Sequence, residues 1–461
     1  MEIGDELAGI DFGDRRLNER AVKLLETLSR QPMASINAAC GGLAETTAAY
    51  RFFDNEKVTP ESILEPHVAA TVERMRGSSV VLLIQDTTEL DFSAHPPEGA
   101  GPLRSLQTRG YLDHTTLAVT PERLALGVVD VQMITRTDDG FGESRSRSKD
   151  PFETKELFRW LEGYRVAARL QALVLDTQLI SVADREGDLY EVLVEARDAL
   201  QKVDFVIRSS KDRRLPERDP EAAGDTWIKL HDRLAESSVR AARTIQLPRT
   251  SKRAARTAAV EVRADTFTLK PPHTKSKLGA VTVNVIEIRE TNPPADDTAV
   301  HWILLTSLPI TTADEILLVI NYYTMRWTIE SYFRVLKSGC TIEDLQLETT
   351  PRVQRCLMLY RIIAWRVMHL TYLGRECPAL PCDVIFANHE WQPVWQIVTK
   401  SPVPQTPPPL AEFLRTLATL GGYNNRKHDG PPGPQTLWTA LRRMTDFSLA
   451  WLAFHEGGPD V

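Results

Sequence analysis

The sequence predicts a multidomain α/β protein built around a mixed β-sheet with helices on its faces. First, 461 residues exceed one ordinary domain, so about two to four units are expected. Second, short apolar runs alternate with helical patterns between residues 79 and 209, as in layered α/β folds. Third, both ends of the chain have helical periodicity. We therefore predict a helical region at 1–70, an α/β region at 71–372 with a β-rich insertion at about 209–311, and a mainly helical region at 373–461.

The composition is globular, with 42% hydrophobic and 25% charged residues. The most apolar later stretch, "CLMLYRIIAWRVMHLTYL", is interrupted by Arg361, Arg366 and His369, which favours a buried helix over a membrane span. The first 20 residues are charged and lack the apolar core of a signal peptide. These features predict a cytoplasmic protein with no membrane partner.

Five scattered cysteines favour reduced thiols over disulfides. Cys377 and Cys382 leave zinc binding open as an alternative, but no second Cys/His pair lies nearby in the sequence.

The net charge of −7 argues mildly against nucleic acid as a partner. One segment, residues 238–280, has the opposite balance: Glu261 and Asp265 are its two acids, against ten cations. The cations are Arg240, Arg243, Arg249, Lys252, Arg253, Arg256, Arg263, Lys270, Lys275 and Lys277. The segment is a candidate phosphate-binding arm, with a solvated loop as the alternative.

The first 70 residues have a helical pattern. Leucine and alanine recur at helical spacing from Leu17 to Leu28, with cations on the other sides. The stretch "CGGLAETTAAYRFFDNEKVTPESI" is predicted as a helix closed by a turn, in which Thr59-Pro60 is typical of the start of the next helix. This spacing fits either a small DNA-binding unit or an ordinary helical cap.

The predicted sheet begins with "SVVLLIQD" at 79–86, a continuous apolar run ending in Asp86. "HTTLAVTP" and "LALGVVDVQMI" are predicted as neighbouring strands, followed by a helix over about 153–173. "QLISVAD" is a further strand ending at Asp184, "REGDLYEVLVEARDAL" the next helix, and "DFVIRS" the next strand. The insertion contributes "AAVEVRAD", "AVTVNVIEI" and "HWILLTSL" as strands.

The stretch "YYTMRWTIESYFRVLKSG", residues 322–339, predicts one continuous helix ending at Gly339. At about 100° per residue, Tyr323, Arg326, Glu330 and Lys337 share an arc of about 60°, beside an apolar face. An acid flanked by two cations and a phenol suits a phosphate-bearing substrate. Ion pairs along the helix surface, such as Arg326–Glu330, are the alternative explanation.

Asp86 and Asp184 each end a buried strand, and Glu330 supplies a third acid from a helix. Carboxylates gathered at strand ends repel one another unless a cation binds them. Three carboxylates suit Mg²⁺, and two such ions promote phosphodiester chemistry. Competing acids remain near both motifs: Glu186 and Asp188 beside Asp184, and Glu89 and Asp91 beside Asp86, the latter two predicted beyond the strand end.

Three stretches resemble the signature regions of DDE transposases of bacterial insertion sequences: "QDTTEL" at 85–90, "ADREGDLYEVL" at 183–193, and the Tyr323, Arg326, Glu330, Lys337 spacing. The last is similar to the Tyr-Arg-Glu-Lys signature of the hairpin-forming cut-and-paste branch, which includes the transposase of the kanamycin-resistance composite transposon. "FGDRRLNERAVKL", "AAYRFFDN" and "GGYNNRKHDGPPGPQTLW" resemble terminal regions of that branch.

The resemblance implies a ribonuclease-H-like core interrupted by a β-rich insertion, flanked by an N-terminal DNA-binding domain and a C-terminal region with a role in dimerisation. It implies Asp86, Asp184 and Glu330 as catalytic ligands of two Mg²⁺ ions, for which Mn²⁺ can substitute. The implied DNA contacts are Tyr323, Arg326, Lys337, Trp302 and Arg208, with Trp302 stacking on a flipped base. The implied partners are transposon ends, target DNA and a second copy of the chain, in a bacterial, nucleoid-associated setting.

Two other functions remain open on the sequence. One is an inactive or domesticated protein that binds element ends, which flanking inverted repeats would argue against. The other is a two-carboxylate sugar hydrolase, which would stay active in EDTA. A further loop, residues 93–114, contacts DNA through Arg104 and Arg109 or is simply mobile.

Overall fold

The structure is a computed structural model that describes residues 3–138, 141, 152–218, 227–247, 255–295, 297–426 and 428–455. The chain divides into two compact units. One comprises Met1–Gly77, Thr87–Ser148 and Thr328–Val461, and the other Ser78–Asp86 and Lys149–Trp327. Residues from both ends of the chain therefore share a unit, and the predicted insertion lies in the other.

The twelve strands of the described residues are β1 (Val80–Asp91), β2 (Gly101–Pro102), β3 (Arg109–Val119), β4 (Ala125–Ile134), β5 (Gln178–Ala183), β6 (Asp204–Arg208), β7 (Arg214–Arg218), β8 (Trp227–Lys229), β9 (Val239–Leu247), β10 (Arg256–Leu269), β11 (Val281–Glu290) and β12 (His301–Thr306). Their helices are α1 (Arg15–Arg30), α2 (Ile36–Cys40), α3 (Leu43–Asp54), α4 (Pro60–Arg76), α5 (Phe158–Gln171), α6 (Tyr190–Asp198), α7 (Leu230–Glu236), α8 (Ala313–Thr324), α9 (Trp327–Arg334), α10 (Thr350–Glu376), α11 (Asn388–Thr399), α12 (Leu410–Thr419) and α13 (Pro434–His455).

A ten-stranded mixed sheet has the order β2-β3-β1-β5-β6-β12-β11-β10-β9, with β4 paired to β3. β1, β5 and β6 are parallel neighbours, whereas β3 and β4 are antiparallel. The predicted α/β class is confirmed, and the order β4-β3-β1-β5-β6 is consistent with a ribonuclease-H-like fold.

The strands of the insertion do not form a separate sheet. β12 pairs antiparallel with β6, and β11, β10 and β9 follow in turn. Alternating burial along β10 matches the period of a strand with one covered face. The insertion therefore lengthens the central sheet at its β6 edge.

α4 begins at the predicted Thr59-Pro60 signal, whereas the cap of α1, Asp14, was not predicted. Asp14 caps α1 by accepting the Arg16 N–H, and Thr59 caps α4 by accepting the Ser62 N–H. α10 is the predicted buried helix, and none of the described helices is long and apolar enough to cross a membrane.

The predicted single helix at 322–339 is wrong. α8 ends at Thr324, α9 begins at Trp327, and a π-turn follows over Val335–Gly339. The break is a tight turn in which the Arg326 N–H donates to the Tyr323 carbonyl at 3.0 Å. A helical projection at about 100° per residue therefore fails across the break, although Ile329, Tyr332 and Leu336 of the predicted apolar face are buried.

Candidate active site

Asp86 and Asp184 lie at matching levels of neighbouring parallel strands. The last paired residues of β1 and β5 are Ile84 and Val182, and each aspartate follows two residues later. Side chains two residues apart share a face, and adjacent strands are about 4.8 Å apart. Both aspartates are half-buried, and the register places them level with each other on neighbouring strands.

Asp86 does not end its strand, because β1 continues to Asp91. The prediction that Glu89 and Asp91 lie beyond the strand was therefore wrong. Their side chains have other partners: Glu89 accepts from Arg104 Nε at 2.6 Å, and Asp91 accepts from the N–H and hydroxyl of Ser93. These contacts hold the loop after β1, and the β1–β5 register places Asp86, not Glu89 or Asp91, level with Asp184.

The second motif has a similar division of roles. Asp184 Oδ1 accepts the Glu186 N–H at 2.8 Å, which closes a turn after β5. Glu186 pairs with Arg159, and Asp188 is fully buried in hydrogen bonds to the residues that follow β6. Asp184 is therefore the acid of this motif positioned beside Asp86.

Arg326 contacts Asp86, one of the two predicted catalytic aspartates, directly. Its Nη1 lies 2.8 Å from Asp86 Oδ2, and the two side chains are 14% and 16% exposed. A charged pair in this setting partly offsets the repulsion between the Asp86 and Asp184 carboxylates. The sequence predicted Arg326 as a phosphate ligand and did not anticipate this contact.

Four predicted DNA-contacting residues of one unit line a common cavity of about 210 Å³: Arg208, Trp302, Tyr323 and Arg326. The Trp302 ring lies 5.5 Å from Tyr323 and 6.0 Å from Trp327, in edge-to-face geometry. Trp327 was missed by the sequence reasoning, although it directly follows Arg326 in the quoted stretch. An aromatic-walled cavity with two arginines suits a base and its phosphates.

The same cavity perturbs its ionisable groups. Burial lowers the pKa of the Arg208 guanidinium, and the nearby charges of Arg185 and Arg326 lower it further. Burial raises the pKa of the Tyr323 phenol, against the opposing influence of Arg326 and Arg208. Clustered cations with few counter-charges favour an anionic ligand.

Glu330 and Lys337 lie in the other unit. Glu330 is exposed on α9, and Lys337 lies in the π-turn. Lys337 Nζ donates to the Glu89 carbonyl at 2.8 Å and pairs with Glu343 at 2.9 Å.

Within the described part of the chain, no group of three or more His, Cys, Asp or Glu side chains is gathered to hold a metal ion. That finding gives the zinc alternative at Cys377 and Cys382 no support; Cys377 is exposed and Cys382 buried. Two half-buried carboxylates on adjacent strands do have the donor chemistry that a hard divalent cation prefers.

Most described cations of the basic segment already have protein partners. Arg240 donates to the Thr311 carbonyl, Arg243 to Asn321, and Arg256 to both Glu290 and Asp297. Arg249, Lys252 and Arg253 lie outside the described residues. These contacts favour a structural role for much of the segment over a free phosphate-binding arm. Arg104 and Arg109 likewise bind carboxylates, those of Glu89 and Asp138.

Three family models match the chain. Residues 3–58 match "Transposase DNA-binding", residues 182–366 match "Transposase DDE domain", and residues 362–451 match "Transposase Tn5 dimerisation domain". Among solved structures, the chain is similar to a cryo-EM structure of a piggyBac transposase synaptic complex with hairpin DNA. The two share 8% identity over 96% of this chain and 72% of that one, with a TM-score of 0.36.

The matched domains support a DNA transposase of the DDE class, an enzyme with nuclease and transferase chemistry. More particularly, the C-terminal match is to the dimerisation domain of the Tn5 transposase, which supports dimer formation. The N-terminal match supports DNA binding.

Proposed function

We propose that this protein cuts the ends of a mobile DNA element by metal-dependent hydrolysis and joins the freed 3′-hydroxyl ends to target DNA. The observation that carries the proposal is the Asp86–Asp184 pair at one sheet edge, with Arg326 against Asp86. A sugar hydrolase would need the two carboxylates, but it would leave the arginine–aromatic cavity without a role.

Asp86 and Asp184, completed by Glu330 from α9, are proposed to hold two Mg²⁺ ions. A bound divalent cation supplies activation of the attacking hydroxyl and stabilisation of the leaving oxygen. Arg326 and Lys337 then hold phosphates of the cleaved strand, since guanidinium and ammonium groups bind phosphate oxygens strongly. The Arg326–Asp86 ion pair would have to loosen as the cation binds.

The cleavage is proposed to pass through a DNA hairpin, as the Tyr-Arg-Glu-Lys spacing suggests. Bending a strand into a hairpin unstacks a base, and Trp302 offers an aromatic surface for it in the cavity shared with Arg208 and Tyr323. Tyr323 can donate a hydrogen bond to a neighbouring phosphate. The paired ends are proposed to be held by a homodimer.

The deciding experiment replaces the three acids singly with alanine and measures end binding and end nicking with Mg²⁺. Asp86→Ala, Asp184→Ala and Glu330→Ala should each abolish nicking while end binding persists, because each removes a carboxylate that the proposed metal ions need. Glu186→Ala is the matched control, because this exposed acid of the same motif pairs with Arg159; it should nick at close to the wild-type rate.

Retained nicking in any of the three variants would remove that residue from the proposed site. A wild-type protein that binds element ends without cutting them would instead favour an inactive, end-binding protein.

A further inference from the structure

Asp188 is a buried acid that the proposed chemistry does not use. Its side chain is fully buried, and its Oδ2 accepts the N–H groups of Ser210 and Lys211 at 2.7 and 3.2 Å. The Ser209 hydroxyl donates to the same oxygen at 3.1 Å. One carboxylate therefore collects donors from three consecutive residues of the segment that follows β6.

Two cations complete this contact. Arg213 pairs with the Asp188 carboxylate and is itself only 6% exposed. Lys211 Nζ donates to the Asp188 carbonyl at 3.1 Å. These partners hold the pKa of Asp188 below its usual value despite the opposing effect of burial, so the group is a carboxylate at neutral pH.

The two segments that Asp188 joins both lead to the candidate active site. On one side, Asp188 ends the turn that begins at Asp184, and Gly187 in that turn has no room for a side chain beside Ala183 and Trp160. On the other side, the segment 209–213 directly follows Arg208, which lines the aromatic cavity. The contact thus fixes the end of β6 against the turn after β5.

We propose that Asp188 is a positioning residue for DNA cleavage, which holds segment 209–213 so that Arg208 meets a phosphate of the DNA bound beside Asp184. The proposal rests on the proposed transposase function. Asp188 has no direct role in the reaction, because its carboxylate oxygens face protein donors. Losing its charge displaces Arg208 and lowers the cleavage rate with little effect on end binding.

The test is a double-mutant cycle with Asp188→Asn, Arg208→Ala and the combined variant, using the full chain, Mg²⁺ and DNA carrying the element's ends. Single-turnover cleavage should fall about 10- to 100-fold in Asp188→Asn, as for a small misplacement of a binding group. If Asp188 acts through Arg208, the combined variant is no slower than Arg208→Ala alone. Asp198→Asn, an exposed acid at the end of α6 paired with Arg197, is the control and should cleave at the wild-type rate.

Effects of Asp188→Asn and Arg208→Ala that multiply would overturn the proposal, as would an unchanged rate in Asp188→Asn. If Asp188→Asn does not fold, Ser209→Ala replaces it in the cycle, since it removes one donor and keeps the ion pair with Arg213. Ser209→Ala should lower the cleavage rate by a smaller factor, and adding it to Arg208→Ala should lower the rate no further. A further fall in the combined variant contradicts the proposal. Failure of the wild type to cut DNA is a separate result, which rejects the transposase function itself.

Discussion

At the scale of the residue, Trp302 combines a buried position with a place in the arginine-lined cavity. It is 7% exposed, and its ring contacts Tyr323 and Trp327. Its low exposure fits a core tryptophan, whereas its place in a cavity lined by two arginines fits a base-stacking one. The exposed fraction therefore does not distinguish the two roles. The rates of the separate reaction steps do.

Trp302→Ala should slow hairpin formation more than first-strand nicking, because base stacking contributes about 1–3 kcal/mol, or roughly 5- to 150-fold. Trp302→Phe keeps an aromatic face and should restore most of the hairpin rate. Both steps are measured on end DNA by denaturing gel electrophoresis. Equal loss of nicking and hairpin formation, with a lowered melting temperature, would assign Trp302 to the core instead.

His369 offers a prediction about pH. Burial lowers the pKa of this histidine from 6.5 to about 4, although its Nδ1 hydrogen bonds with the Ala125 carbonyl at 2.9 Å. Between pH 6.5 and 4 the unfolded chain binds a proton at this site that the folded chain does not. Stability therefore falls as pH falls through that window, by about 3 kcal/mol at most.

His369→Gln keeps a side-chain donor and removes the titration, so its free energy of unfolding should depend less on pH between 6.5 and 4.5. Urea unfolding of both proteins at several pH values measures the difference. His67, whose pKa is also lowered by burial, is present in both and cancels in the comparison. Parallel curves for the two proteins would show that His369 does not titrate in this way.

At the scale of the element, both local sequence signals and tertiary packing determine where the helices that carry the signature residues begin and end. α8 begins at a capping box, in which Thr312 accepts the Glu315 N–H and Glu315 accepts the Thr312 N–H. The break between α8 and α9 has no Gly or Pro to announce it in the sequence. Sequence periodicity therefore located the helix start and its apolar face but could not detect the interruption.

Thr312→Ala should destabilise α8 by about 1 kcal/mol, since it leaves helix N–H groups without an acceptor. The measurement is the free energy of unfolding. Hydrogen exchange measures the local opening of residues 313–324. Thr312→Ser keeps the hydroxyl and serves as the control, with almost no loss. An equal loss in the serine variant would mean that the methyl group, not the cap, stabilises this end.

At the scale of the whole molecule, the net charge of −7 and the proposed DNA function fit together because the cations are placed locally. Arg208 and Arg326 line one cavity, whereas several cations of the basic segment are paired with protein groups. DNA binding therefore depends on where cations lie more than on their total number.

The match of the C-terminal region to a dimerisation domain also predicts a surface for a second copy of the chain. Leu449 lies within the stretch matched to the dimerisation domain and is 45% exposed on α13. Leu449→Asp should reduce the DNA-bound dimer in sedimentation velocity while single-end binding persists, because a charge at an apolar contact is costly. Leu175→Asp changes another exposed leucine, outside that stretch, and should leave the dimer intact. Equal dimer fractions for both variants would place the interface elsewhere.

The sequence by itself determined the α/β class, the strand that contains Asp86, the strand that Asp184 follows, and the helical ends, because burial periodicity and capping residues are local. Tertiary structure alone decided the partners of the competing acids Glu89, Glu186 and Asp188, which lie in other segments of the chain. It also decided that β9–β12 extend the central sheet and that Arg326 contacts Asp86. Those outcomes depend on strand pairing and charge compensation between distant segments, which no local pattern encodes.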